Sequence, residues 1–83
     1  GVELGPRDMG SRLPMMTARE VVVTLRRAGW IVDRQSGRHV MMTRPNGSGL
    51  VVIPYHPGDV PRPTLQSIID QAGMTNDEFL RHR

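Results

Sequence analysis

Two helix starts built from the same chemical device bracket this chain, and they constrain what can lie between them. Met16-Thr17-Ala18-Arg19-Glu20-Val21 is a capping box with a hydrophobic staple. The Thr17 hydroxyl can accept from the Glu20 backbone N–H, the Glu20 carboxylate can reach back to the Thr17 N–H, and Met16 can pack on Val21. Met74-Thr75-Asn76-Asp77-Glu78-Phe79 repeats the device, with Thr75 and Glu78 as the box and Met74 against Phe79 as the staple. The first box predicts a helix with Ala18, Val22, Leu25 and Ala28 on one face, closed by Gly29. The second predicts a short terminal helix.

Three β-prone runs fill the interval. Trp30 to Gln35 is the first, followed by a turn at Ser36-Gly37. Arg38 to Arg44 is the second, and Pro45-Asn46-Gly47-Ser48 is a hairpin turn signal. Leu50 to Tyr55 is the third, ended by Pro54 and Pro57. A proline-rich loop then leads into a helix over Thr64 to Ala72, where Leu65, Ile68, Ile69 and Ala72 share a face and Gly73 is the stop. The order is α-β-β-β-α plus the terminal helix, an α+β class. A three-stranded antiparallel meander of this kind has helices on one face and leaves the other open.

Residues 1–15 show neither periodicity. Three glycines and two prolines fall within the first 14 residues, and the stretch reads as a disordered leader or expression remnant, with the domain spanning 16–83. A chain of 83 residues is one small domain that buries only about 60% of its unfolded surface. The absence of cysteine excludes disulfide scaffolds and thiolate metal sites and suits a reducing cytoplasm. No metal or cofactor is expected. No apolar run approaches the roughly 20 residues of a membrane span.

All 11 basic residues are arginine, and they are unevenly spread. Between residues 17 and 44, six arginines face only Glu20 and Asp33, a local net charge of +4. The rest of the chain is close to neutral. Arginine over lysine is what a GC-rich codon bias gives. It is also what a phosphate partner requires, because the guanidinium fork binds phosphate oxygens bidentately. A basic patch on a small domain points to nucleic acid more than to membrane, with a solvated face as the plain alternative.

Alternation along the second strand puts Val40 and Met42 on one face and His39, Met41 and Thr43 on the other. With Val40 and Met42 in the core, and Arg38 and Arg44 at the ends of that face, His39 stands on the sheet surface with Arg34 near it across the hairpin. Two descriptions fit His39: an ordinary surface histidine, or a proton-transfer group facing a bound phosphodiester. An imidazole titrates near 6.5 as a free side chain, which suits either direction of transfer at neutral pH. His56, after the third strand, is a second titrating group or a loop cap. Trp30 reads as core or as a base-stacking ring, and Arg26 and Arg27 as a phosphate track or a solvated helix face. His82 falls in a terminus.

Several stretches together resemble the HicA family of bacterial toxins, small mRNA interferases also known as YcfA-like proteins. They are Met16-Thr17-Ala18-Arg19-Glu20-Val21, Ala28-Gly29-Trp30, Arg34-Gln35, Gly37-Arg38-His39, Pro45-Asn46-Gly47, Ile53 to Gly58, and Thr64 to Met74. The resemblance implies a fold like the double-stranded-RNA-binding domain and cleavage of mRNA or other single-stranded RNA without a metal. It also implies a cognate HicB-type antitoxin that covers the active face. The family motif Gly-Ser-His-His places its catalytic histidine at His39 and its glycine at Gly37. Arg38 stands for the serine, Val40 for the second histidine and Met42 for a usual phenylalanine, while Asp59 follows Pro57-Gly58 where the family commonly has a lysine. The expectation is therefore a metal-independent endoribonuclease toxin with His39 catalytic and Gly37, Arg38, Arg34, Arg44 and His56 contacting RNA. The alternatives are a non-catalytic RNA-binding module of the same fold, and an arginine face that docks an acidic protein.

Overall fold

The computed structural model describes residues 13–83; the expected leader, with Arg7 and Arg12, lies outside them except for its last three residues. Helix α1 (Ala18–Arg27) leads into strands β1 (Ile31–Ser36), β2 (His39–Thr43) and β3 (Val51–Pro54), then α2 (Arg62–Gln71) and α3 (Asn76–Arg81). The three strands form one antiparallel sheet in the order β1-β2-β3. The helices line one face, which is the α+β arrangement expected. Among the described residues no helix is long and apolar enough to cross a membrane.

Both capping boxes form. Thr17 N–H donates to Glu20 Oε1 at 2.8 Å and Glu20 N–H to Thr17 Oγ1 at 3.2 Å. The same pair of bonds at Thr75 and Glu78 measures 2.8 and 3.1 Å. Met16, Val21 and Phe79 are fully buried. Gly29 follows α1 at φ +103°, a conformation that costs glycine nothing and other residues much.

The inner face of α1 sits slightly differently from the expected one. Ala18, Val21, Thr24 and Leu25 are buried, while Val22 and Ala28 are only half-buried at the core's margin. Thr24 tolerates this position because its hydroxyl donates to the Glu20 carbonyl at 2.8 Å. Helix α2 starts at Arg62, two residues earlier than Thr64, because Pro63 falls in the first turn, where no backbone N–H is required. Leu65, Ile68, Ile69 and Ala72 are all buried as expected.

Leu13 is 4% exposed and belongs to the core, and its carbonyl accepts from Arg62 Nε at 2.8 Å. Packing thus reaches at least three residues before Met16.

The two edges of the sheet differ. On β3, the Val52 N–H donates to the Gln71 side chain of α2 at 3.2 Å, and Val51 and Ile53 are fully buried. All six residues of β1 are exposed, including Ile31 and Val32, so this strand overhangs the helical layer.

Candidate active site

Cross-strand partners share a face of a sheet, so the register sorts the side chains. Val40 pairs with Ile53 and Gln35, and Met42 with Val51 and Val32; the β2 and β3 members of this set are buried under the helices. The opposite, open face carries Ser36, His39 and Pro54 in one row and Arg34, Met41 and Val52 in the next. His39 is exposed at the start of β2.

Arg34 reaches that face through an irregularity. Strict alternation from Val32 would turn it toward the helices. The register shifts between Val32 and Arg34, leaving Asp33 as an extra residue, and the bulge re-aims Arg34 to the side of His39. Its Nε then donates to Met41 Sδ at 3.2 Å, and the rest of the guanidinium fork has no partner among the described residues.

The β1–β2 connection is the two-residue turn Gly37-Arg38, one position later than Ser36-Gly37, so Arg38 belongs to the turn and not to the strand. Gly37 sits at φ +57°, the left-handed conformation such hairpins require. The Arg38 carbonyl accepts from the Tyr55 N–H at 2.6 Å, tying the turn to the chain beyond β3. Its side chain is exposed and makes no hydrogen bond or ion pair among the described residues.

His56 lies in the loop that leaves β3. Val60 N–H donates to the Met16 carbonyl at 2.7 Å and Asp59 bridges to Thr17, so this loop is pinned to the start of α1. A cleft of about 500 Å³ runs between Tyr55-His56 and the first turn of α1 at Thr17 to Arg19. His56 also lines a cavity of about 200 Å³ on its other side.

The structure thus gathers Arg34 and His39 on the open face, with Gly37 and Arg38 in the turn at its end and His56 in the loop after β3. It does not bring Arg44 to them. Arg44 lies five residues beyond His39, about 17 Å along an extended chain. Its guanidinium stacks over the Trp30 ring at 4.5 Å from the centroid. Trp30 itself is 4% exposed and is core, not a stacking platform for a base. Arg19 and Arg27 line a separate cleft of about 220 Å³ with Arg83 on the helical side.

The departures from the expected motif divide by face. Val40 is 4% exposed and Met42 fully buried, so both are core substitutions on the side away from His39. Arg38 and Asp59 are both exposed, the first adding a cation in the turn and the second an acidic side chain in the loop after β3. Among the described residues no three His, Cys, Asp or Glu side chains gather as a metal site would require.

Comparison with curated proteins gives no match. Residues 18–74, from the first residue of α1 to the foot of α3, match the family model described as the HicA toxin of bacterial toxin-antitoxin. An open three-stranded sheet with helices on one face, read together with that match over most of its length, places this chain in the HicA toxin family.

Proposed function

We propose that this toxin is an endoribonuclease that cuts single-stranded RNA with His39 as its acid–base group. The observation that carries the reading is one exposed imidazole with Arg34 on the same sheet face and Arg38 in the adjoining turn, neither guanidinium bound to a carboxylate among the described residues. RNA supplies its own nucleophile. His39 takes the proton of a 2′-hydroxyl, the 2′-oxygen attacks the adjacent phosphorus, and the bond to the 5′-oxygen breaks. The products are a 2′,3′-cyclic phosphate and a 5′-hydroxyl whose proton comes from solvent at this open face. Arg34 and Arg38 hold the phosphate and stabilise the charge that grows on its non-bridging oxygens. No step requires a metal. Gly37 lets the turn bring Arg38 beside His39, and His56 contacts the chain further along. A cytoplasmic antitoxin of the HicB type would silence the enzyme by covering this same face.

The His39→Ala variant tests the proposal. His39 is exposed, so the variant folds, and its cleavage of single-stranded RNA in EDTA should fall by about 10²–10⁴-fold. Undiminished cleavage contradicts the proposal. A wild-type chain that shifts RNA on a gel without cutting it supports the binding module instead.

A further inference from the structure

The cavity of about 200 Å³ beside β3 has a lining that the phosphate chemistry does not explain. Pro54, the cross-strand partner of His39, forms one wall, so the cavity adjoins the proposed cleavage position. Pro61 and the buried Val60 make apolar surface, and His56 presents an imidazole. The polar groups are Thr64, in the first turn of α2, and Asp59. The backbone of Asp59 is fixed by its bridge to Thr17, yet its carboxylate has no hydrogen-bond or ion-pair partner among the described residues. It is an acidic side chain without a described partner, on a domain whose lysine and arginine positions are all arginine.

A carboxylate repels phosphate and accepts only from donors. In RNA the donors that a carboxylate can take as a matched pair belong to guanine, whose N1–H and N2–H are parallel and adjacent. Cytosine offers a single amino group, and uracil's one N–H is flanked by carbonyl oxygens. Single-stranded RNA presents such edges because its bases splay out of the stack. The apolar walls and the His56 ring suit the faces of a planar heterocycle, and a small cavity with a few convergent polar groups is the usual form of such a site.

We propose that this cavity is a guanine subsite next to the cleaved phosphate, with Asp59 as the residue that reads the base. The inference rests on the RNA-cleavage reading and adds a sequence preference to it. The test uses the full chain and short 2′-O-methyl oligonucleotides, which cannot be cut, differing by guanine or adenine at one position. The wild type should bind the guanine oligomer roughly 10- to 100-fold more tightly. Asp59→Asn, an exposed and nearly isosteric change, should remove that preference while circular dichroism shows the fold intact. Equal binding by the wild type, or a preference that persists in both Asp59→Asn and Asp59→Ala, overturns the subsite. If the wild type cuts RNA without regard to guanine, the subsite fails and the cleavage mechanism stands. If His39→Ala cuts as the wild type does, the underlying reading fails, whatever the base preference.

Discussion

The two ends of β2 carry the same kind of residue in opposite conditions. At the His39 end, Arg34 and Arg38 project from a hairpin with most of their donors unused among the described residues. At the other end, Arg44 lies over Trp30, and the backbone closes around it: Arg44 N–H donates to the Ser48 carbonyl at 2.9 Å, and Gly47 N–H to the Arg44 carbonyl at 2.7 Å. Gly49 passes so near that a Cβ added there would meet Arg44 Nη1 at 2.6 Å and Trp30 Cη2 at 2.9 Å. A cation held over a ring by its own chain helps to fix a turn. One whose fork is free can receive a phosphate. Net charge counts both alike, and only placement separates them.

Substitutions at the two ends should therefore fail in different ways. Arg34→Ala and Arg38→Ala should each lower RNA cleavage by about 10- to 100-fold, the worth of a charged hydrogen bond, without moving the urea midpoint. Next in size is Gly49→Ala, which adds a clash and sets alanine at φ +73°. It should cost about 1–3 kcal/mol of stability in urea titration, with the cleavage rate per folded molecule retained. Arg44→Ala should lose about 0.5–1 kcal/mol of stability and leave cleavage unchanged. A cleavage defect in Arg44→Ala as deep as that in Arg38→Ala would erase the distinction between the two ends.

The smallest effect lies outside the site. Hydrogen bonds from Thr75, the backbone N–H first and the side chain next, hold the Glu78 carboxyl below its ordinary value, opposing the effect of burial. A carboxyl lowered by folding adds stability that is complete above its unfolded value and is lost as pH falls through the lowered folded one. Acid titration of the urea midpoint should show this loss in the wild type and a shallower one in Glu78→Gln.

Much of the fold was legible because local chemistry and packing agree. The capping boxes, the Gly29 stop and the apolar face of α2 are each set by neighbours a few residues apart. The run Val21-Val22-Val23 was harder, because three valines in a row give no direction, and Thr24 enters the core by satisfying its hydroxyl on its own helix. His39 could be placed on the open face from the alternation of β2 alone. Arg34 could not, because Asp33 carries no turn or glycine signal for the bulge that redirects it. The exposure of Ile31 and Val32 was equally hidden, since apolar β-branched residues look alike under a helix and beyond its edge. Arg44 and Trp30 were both visible as chemistry, but their contact spans a strand and a hairpin. Asp59 reads in the sequence only as a missing basic contact, and acquires a role once the cavity around it is seen.

Hydrolysis of single-stranded RNA by purified wild type and His39→Ala, followed over time in EDTA with the product ends identified, tests the central claim most directly. The account predicts 2′,3′-cyclic phosphate ends from the wild type and a loss of about 10²–10⁴-fold in the folded variant. Equal rates from the two proteins, or 3′-hydroxyl ends from the wild type, would contradict it.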